Sequence, residues 1–294
     1  MGLSAPVVVT TPGTLHMEPN LYDYPLYYDI AFRREVEPDV DFLEACLSRW
    51  RQGGGRRVLE LGCGPGYHTL GFARRGFEAT GLDKSSKMVA YARRKGTDER
   101  STATFIEGDM FDFQLDKPVD LILSLMATAT HITTVPEMEQ HLKIVAANLT
   151  PDGLYILELP HPRDYFSGAG PSATLSDWSD EKDGVAVRIS WREPAEPVDP
   201  IRETKQYTLM VTVTEQQKEM VFPFSIEQAI WTPKEMEALA KLSGCFHLRA
   251  MHGEFDINQN FNNSKWSWRM IVVLQRHEPA ALLDRDADAT HTLP

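Results

Sequence analysis

Residues 58–66 read VLELGCGPG, and this stretch decides the fold. Its apolar residues are typical of a buried strand, and a helical pattern begins just after it at Tyr67. Between the two lie Gly62, Gly64 and Gly66, which let a ligand approach the backbone because glycine has no side chain. A glycine loop between a strand and a helix indicates a binding site formed by backbone N–H groups. Tight packing of the strand against the helix is the alternative interpretation.

The spacing of these glycines indicates which kind of ligand the loop binds. A dinucleotide site has the spacing G-x-G-x-x-G, with the pyrophosphate at the helix N-terminus. Here the spacing is G-x-G-x-G, and Glu60 lies two residues before the first glycine. A carboxylate that close favours a ligand with a cationic group over a pyrophosphate. The pattern therefore disfavours the nicotinamide-dependent oxidoreductases, which are the nearest alternative enzyme class.

Two further acidic residues end the next predicted strands. Asp83 lies about 20 residues beyond the loop, where an acid at a strand end can accept hydrogen bonds from both ribose hydroxyls. Asp109 can accept from an adenine amino group, and the apolar Met110 beside it can cover a ring face. Because three such signals follow one another on successive strand ends, packing alone is a poor explanation of the loop.

Strands and helices alternate around this stretch. Strands are predicted at 57–62, 77–82, 103–107, 119–125 and 153–159, and helices at 67–75, 85–95 and 136–149. This alternation predicts an α/β fold with helices on both faces of a mostly parallel sheet. Three strand-like stretches without intervening helices then follow at 185–191, 203–213 and 218–226, and a helix at 233–242 precedes strands at 246–251 and 268–275. We predict a Rossmann-like, doubly wound, seven-stranded sheet with an antiparallel β insertion after strand five.

Composition excludes several classes of protein. A net charge of −12 over 294 residues opposes binding to nucleic acid, which needs clustered Lys and Arg. No apolar run reaches the roughly 20 residues of a membrane helix, and the N-terminus does not resemble a signal peptide. We therefore expect a soluble, cytoplasmic protein with no membrane partner. Cys46, Cys63 and Cys245 are too few and too scattered for a disulfide framework or a zinc site, so no metal is expected.

The same features divide the chain into parts. We expect mobile tails at 1–20 and 278–294, an N-terminal cap or lid at 21–50, a ligand-binding core at 51–160 plus 232–277, and a β-rich insertion on the substrate side at 161–231. The alternating Val185, Val187 and Ile189 of the insertion must be buried somewhere. The insertion should therefore either wall an acceptor pocket or form the contact of a homodimer.

Four segments carry motifs of a known family, namely ELGCGPG at 60–66, GLD at 81–83, GDM at 108–110 and LTPDGLYILE at 149–158. Through them the chain resembles the class I S-adenosylmethionine-dependent methyltransferases over roughly residues 22–276. YYD at 27–29, GDMFDF at 108–113 and SLMATATH at 124–131 make it most similar to amino-sugar N-methyltransferases of natural-product pathways and to glycine N-methyltransferase. It departs from the sugar enzymes at 158–162, where ELPHP replaces an E-P-W type sequence.

The resemblance implies S-adenosylmethionine as the cofactor, bound by residues of the first three motifs, at 60–66, 81–83 and 108–110. It adds Tyr28, as the best match to the family's early Tyr-Asp pair, and Leu125 after the fourth strand. Arg33, or its neighbour Arg34, can meet the cofactor's carboxylate in bidentate fashion, although a solvated charge pair is the alternative. The complete predicted set is Tyr28, Arg33, Glu60, Gly62, Gly64, Gly66, Asp83, Asp109, Met110 and Leu125.

Residues after strands four and five are the candidates for catalysis. His131 can remove a proton from an amine or hydroxyl, because its reference pKa lies near working pH, or it can merely hydrogen-bond a carbonyl. Glu158 matches the acid of the sugar enzymes and can hold a cationic substrate, or it can form a salt bridge at a strand end. Further substrate contacts are predicted at Tyr24, Thr128, Thr130 and His161, where Tyr24 can equally anchor the N-terminus and His161 can be structural.

These assignments predict an enzyme that methylates a small molecule. An acidic protein favours an amine acceptor over a carboxylate, so N-methylation is the favoured prediction. An O- or C-methyltransferase uses the same histidine as its base and stays an alternative. A protein that binds the cofactor without catalysing methyl transfer is a second alternative.

Overall fold

The chain forms one seven-stranded and one four-stranded sheet, which a computed structural model describes over residues 20–53, 55–166, 177–191 and 197–277. The strands are β1 (Arg57–Leu61), β2 (Glu78–Asp83), β3 (Thr104–Glu107), β4 (Val119–Ser124), β5 (Leu149–Pro160), β6 (Trp178–Lys182), β7 (Val185–Trp191), β8 (Thr204–Glu215), β9 (Lys218–Ala229), β10 (Phe246–His252) and β11 (Arg269–Arg276). The α-helices are α1 (Pro25–Phe32), α2 (Glu37–Trp50), α3 (Tyr67–Arg74), α4 (Ser86–Asp98), α5 (Val135–Asn148), α6 (Arg163–Phe166) and α7 (Pro233–Ser243). Two 3-10 helices span Leu21–Asp23 and Thr128–His131.

The large sheet has the strand order β10-β11-β5-β4-β1-β2-β3. Strands β1 to β5 are parallel, and β11 runs antiparallel to its neighbours β5 and β10. Strand order reverses between β1 and β4, so the crevice at the carboxyl ends of these strands is where a ligand is expected. The predicted seven-stranded, mostly parallel sheet is confirmed.

The four-stranded sheet follows β5 and has the antiparallel order β6-β7-β8-β9, which confirms the predicted insertion. Its edge strand β6 was not predicted, because its sequence WSDEK carries too few apolar residues to alternate. Parts of the insertion at 167–176 and 192–196 lie outside the described residues, as do the predicted tails at 1–19 and 278–294.

Two differences from the sequence prediction affect the site. Residues 25–32 of the expected N-terminal cap or lid form helix α1, which was not among the predicted helices. Its sequence PLYYDIAF is apolar at most positions and so shows no clear helical period. Strand β5 begins at Leu149, four residues earlier than expected, because Leu149 pairs with Val119 of β4 ahead of the turn at Asp152.

Buried clusters cover both faces of the large sheet. Side chains of β1 and β4 pack with α5 and α7 on one face and with α2 and α3 on the other. A third cluster joins Val187, Ile189 and Val211 of the antiparallel sheet to Leu21 and Ile30 of the N-terminal segment. The N-terminal segment therefore packs on the antiparallel sheet, and the aromatic residues beside it reach the carboxyl edge of the large sheet.

Candidate cofactor and acceptor site

A cavity of about 590 Å³ lies at the carboxyl ends of the parallel strands. It brings together residues that follow three successive strands: Gly62 and Gly64 after β1, Asp83 at the end of β2, and Asp109 with Met110 after β3. The sequence predicted all five for one ligand. The N-terminal segment and the turn after β4 complete its walls, so five separate parts of the chain meet there.

The glycine loop needs glycine at its ligand-side positions. Gly62 and Gly64 have φ of +62° and +51°, in the left-handed region that disfavours other residues. A Cβ atom on Gly62 would also lie 2.6 Å from Cγ2 of Thr128. Any side chain there would thus collide with the turn after β4 and narrow the cavity.

Asp83 ties the loop to the next helix. Its Oδ2 accepts a hydrogen bond from the Gly64 N–H and its Oδ1 accepts one from the Ser85 N–H, both at 2.8 Å. Burial raises the pKa of Asp83, and the two backbone hydrogen bonds oppose that shift. Each carboxylate oxygen has a second lone pair, so Asp83 can also accept from the hydroxyls of a ligand.

Asp109 occupies the next strand end and is more open. Its Oδ2 accepts from Lys84 Nζ at 2.7 Å and its Oδ1 from the Phe111 N–H at 3.0 Å. The hydrogen bond from Lys84 lowers the pKa of Asp109, which therefore stays an ionised acceptor. Met110 and Phe111 line the cavity beside it, and their apolar surfaces suit a flat ring.

Glu60 lies beneath the loop and does not line this cavity. Its carboxylate accepts hydrogen bonds from the N–H and hydroxyl of Thr69, at 2.9 and 2.5 Å, and is 3.0 Å from His68 Nδ1. The other ring nitrogen of His68 is 3.0 Å from Asp39. Burial would lower the pKa of His68, but the two carboxylates outweigh it and raise the pKa to about 9. A protonated histidine between two acids thus holds Glu60 against the start of α3.

Three other residues predicted to bind the cofactor do not line the cavity. Gly66 caps α3, and a Cβ atom there would lie 2.5 Å from the Phe105 ring. Leu125 is buried among the apolar residues of the sheet. Arg33 forms an exposed ion pair with Asp180 of β6, at 2.7 Å. The alternative weighed for Arg33, a solvated charge pair, matches this placement.

The N-terminal segment contributes Tyr28, as predicted, and Tyr22, which was not in the predicted set of site residues. Tyr22 packs edge-on against Phe224 of the antiparallel sheet, and its hydroxyl is 3.3 Å from His131 Nε2. The sequence signal that could have identified Tyr22 is the density of tyrosines in this segment, where Tyr22, Tyr24, Tyr27 and Tyr28 follow one another closely. Tyr24 instead stacks on Tyr27 and packs against Phe222, and it does not line the cavity.

The turn after β4 places two of its three predicted residues in the cavity. Thr128 and His131 line it, whereas the buried Thr130 donates its hydroxyl to the Ala127 carbonyl at 2.6 Å. Burial lowers the pKa of His131, so the imidazole is neutral near pH 7 and can accept a proton. Met126 lies in the same turn and lines this cavity too.

A second cavity of about 240 Å³ is also lined by Met126. The end of β5 forms one wall with Glu158, and the antiparallel sheet contributes Trp191, Tyr207 and Gln228. Met126 is thus shared by both cavities. This arrangement brings the insertion to the carboxyl edge of the large sheet.

Glu158 has both carboxylate oxygens engaged at this boundary. Oε2 accepts from the Met126 N–H at 2.7 Å, and Oε1 accepts from Arg269 Nη1 at 2.6 Å. His161 lines neither cavity, because its ring bonds the Asn262 carbonyl at 3.0 Å and the Arg163 N–H at 3.1 Å. The sequence analysis did not single out Met126 or Arg269. It did expect the insertion that contains β7 to β9 either to wall an acceptor pocket or to form a homodimer contact, and Trp191, Tyr207 and Gln228 line the second cavity.

Two features are absent from the described residues. These residues contain no group of three or more His, Cys, Asp or Glu side chains placed to hold a metal ion. Nor does any helix within 20–53, 55–166, 177–191 and 197–277 have the length and apolar character needed to cross a membrane.

Comparison with known sequences points to one class. Residues 58–153 match a family described as "Methyltransferase domain". A dTDP-3-amino-3,4,6-trideoxy-alpha-D-glucopyranose N,N-dimethyltransferase from Streptomyces venezuelae is 29% identical over 114 residues, which are 39% of this chain and 46% of that relative. The chain spans about half the length of the curated relatives it matches.

Solved structures agree on the fold. An S-adenosylmethionine-dependent methyltransferase from Clostridium acetobutylicum ATCC 824 has a TM-score of 0.69 at 16% identity, covering 88% of this chain and 100% of the other. KedS8, a sugar N-methyltransferase from Streptoalloteichus sp ATCC 53650, has a TM-score of 0.67 at 17% identity, covering 94% and 100%. At these identities the likeness shows the fold alone.

Residues 58–153 therefore match a methyltransferase domain, and the chain has the fold of the S-adenosylmethionine-dependent methyltransferases. S-adenosylmethionine is the cofactor of this class, and the first cavity fits it. Gly62 leaves no room for a side chain, Gly64 has the positive φ that favours glycine, and ionisable acceptors stand at two successive strand ends.

Proposed function

We propose that this protein transfers a methyl group from S-adenosylmethionine to an amine nitrogen of a small molecule. The observation that carries the proposal is the pair of cavities that share Met126 at the carboxyl ends of the strands. One cavity has the glycine loop and strand-end acids that suit the cofactor. The other has the walls of an acceptor pocket.

The cofactor, when bound, supplies an activated methyl group on a positively charged sulfur. The backbone at Gly62 and Gly64 lies along it, and Asp83 accepts hydrogen bonds from the ribose hydroxyls. Asp109 accepts from the adenine amino group while Met110 covers the ring. Tyr28 closes the cavity from the N-terminal side. These roles are supported by the lining of the first cavity and by the positive φ angles of the loop.

His131 takes up the proton that the acceptor loses. An amine must be neutral to attack, and a neutral imidazole in the cavity can accept its proton. The Tyr22 hydroxyl, 3.3 Å from Nε2, orients the ring. Alignment of the two reactants can contribute about 7–11 kcal/mol, so the residues that shape the cavities matter as much as the base.

Of the two roles that the sequence left open for Glu158, the salt bridge at a strand end fits its contacts better than a direct hold on the substrate. Because its two oxygens already bind Met126 and Arg269, we assign it to holding the wall between the cavities. The negative charge of the protein still favours an amine over a carboxylate. A relative named as an amino-sugar N,N-dimethyltransferase supports an amine carried on a sugar, in natural-product biosynthesis.

Two measurements test the proposal. Calorimetry should show binding of S-adenosylmethionine and S-adenosylhomocysteine and none of NAD. Labelled S-adenosylmethionine is then incubated with a panel of amines, phenols and carboxylic acids, and the Asp83→Ala variant serves as the control with an impaired cofactor site. Transfer to amines is expected. Transfer only to phenols or to carbon would establish the O- or C-methyltransferase alternative, and cofactor binding without any transfer would establish the non-catalytic one.

A further inference from the structure

The second cavity contains buried polar atoms that lack partners. Trp191 Nε1 and Asp164 Oδ1 are both buried, and neither has a hydrogen-bond partner among the described residues. The guanidinium of Arg163 approaches Asp164 Oδ1 only to 3.8 Å at Nε, beyond hydrogen-bond distance. Tyr165 Oη and Arg269 Nε, whose residues line the same cavity, also lack a hydrogen-bond partner among the described residues. Since buried polar groups are nearly always hydrogen-bonded, such atoms gathered in one cavity indicate that it binds a polar ligand.

Trp191 Nε1 and Asp164 Oδ1 need opposite kinds of hydrogen-bond partner. The Trp191 indole N–H can only donate, and the Asp164 carboxylate oxygen accepts. A hydroxyl group both donates and accepts, so hydroxyl groups on the ligand can satisfy both atoms. An ammonium group would pair with Asp164 but leave the Trp191 N–H without an acceptor, which costs free energy in a buried site.

The other walls indicate the shape of the ligand. Trp191 and Tyr207 meet edge to face with ring centres 5.6 Å apart, and Trp268 also lines the cavity, with the Arg269 guanidinium carbon 3.6 Å from its ring centre. Burial, together with the Asp164 charge, raises the pKa of Tyr207 to about 12, so its hydroxyl stays protonated. An apolar cavity of about 150 Å³ holds benzene, so about 240 Å³ suits one substituted six-membered ring.

We propose that the second cavity is a recognition subsite for the part of the acceptor that does not react, and that it selects a six-membered ring bearing at least one hydroxyl. Asp164 accepts from that hydroxyl, and Trp191 donates to the same or a neighbouring one. The amine projects past Met126 into the first cavity. This assignment rests on the proposed function, because it takes the ligand to be the methyl acceptor.

A saturated ring and an aromatic ring both provide this chemistry, so matched amines distinguish them. The pairs are trans-4-aminocyclohexanol with cyclohexylamine, and 4-hydroxybenzylamine with benzylamine. Dissociation constants are measured by ligand-observed NMR on the full chain saturated with S-adenosylhomocysteine. In at least one pair the hydroxylated amine should bind about tenfold more tightly, the effect expected of one hydrogen bond to a charged group. The pair that shows the preference identifies the ring type.

Variants connect the preference to the two atoms. Trp191→Phe and Asp164→Asn should each reduce it to about twofold or less, with unchanged affinity for S-adenosylhomocysteine. Trp266→Phe is the matched control, since Trp266 is 68% exposed and does not line this cavity, and it should keep the full preference. Asp98→Asn, an exposed acid at the end of α4, is the second control.

Equal binding within both pairs, no binding of any probe to the wild type, or an unchanged preference in both cavity variants would overturn the assignment. The assay needs no turnover. A hydroxyl preference without methyl transfer to any acceptor would therefore refute the proposed function and leave the subsite, whereas transfer without the preference would do the reverse.

Discussion

Replacement of Glu158 by glutamine should weaken the fold through the turn between the two cavities. Glu158 is only 8% exposed and binds both the Met126 N–H and Arg269. Met126 and Ala127 have φ of +53° and +61°, in a left-handed region that costs non-glycine residues about 1 kcal/mol or more each. The Glu158 carboxylate is thus one of the contacts that holds an unfavourable turn in place.

The expected magnitude follows from these contacts. A hydrogen bond to a charged group contributes about 1.5–3 kcal/mol, and removal of one partner from a buried ion pair costs about 3–5 kcal/mol. Glutamine keeps one acceptor oxygen, and Glu254 offers Arg269 a second carboxylate at 3.3 Å. We therefore expect Glu158→Gln to lower the free energy of unfolding by about 2 kcal/mol and Glu158→Ala by about 4 kcal/mol.

Urea unfolding at pH 7 measures both variants, and Glu237→Gln is the matched control. Glu237 forms an exposed ion pair with Lys241 four residues along α7, so its loss should change the free energy of unfolding far less than either Glu158 variant does. Calorimetry with S-adenosylhomocysteine should show nearly unchanged affinity for Glu158→Gln, because Glu158 does not line the first cavity. If Glu158→Gln proves as stable as Glu237→Gln, the carboxylate does not hold the turn and our reasoning fails.

Three further predictions concern the first cavity and the ion pairs beneath its glycine loop. Asp83→Ala should weaken S-adenosylhomocysteine binding by about 1.5–3 kcal/mol, and an unchanged dissociation constant in a folded variant would remove Asp83 from the site. Because the pKa of His68 is raised from 6.5 to about 9, its stabilisation is fully present below pH 6.5 and is lost as the pH rises through 9. Between pH 6 and pH 10, urea unfolding of the wild type should show the free energy of unfolding fall by roughly 3 kcal/mol, a loss that His68→Gln should lack. Identical pH profiles for the two proteins would contradict this prediction. His131→Ala should lower the transfer rate about 100-fold or more and abolish the associated pH dependence, whereas a few-fold loss with an unchanged profile would show that another group takes the proton.

The sequence was a good guide where the physical cause is local. The strand, turn and helix around Gly62 and Gly64 could be predicted because hydrophobic periodicity and the need for positive φ both lie within a short segment. The position of Asp83 and Asp109 in one cavity could also be predicted, because the carboxyl ends of parallel strands share one edge of a sheet. Helix α1 was missed because its apolar residues show no period.

The contacts of charged residues were harder to predict, because their partners come from distant parts of the chain. Glu60 has the spacing of a cofactor contact, yet Thr69 and His68 bind its carboxylate below the loop. Nothing near Arg33 in the sequence indicates Asp180, which lies on an inserted strand. In each case a carboxylate or guanidinium pairs with whichever opposite group the folded chain brings within reach.

The sequence by itself therefore determined the sheet, the cofactor loop and the acids at the strand ends of this methyltransferase domain. Only the tertiary structure decided that Glu158 binds Arg269 and Met126, and that Asp164 and Trp191 face one cavity from separate segments. The physical reason is that backbone geometry and hydrophobic periodicity act over a few residues, whereas pairing and burial of polar groups depend on which distant segments meet.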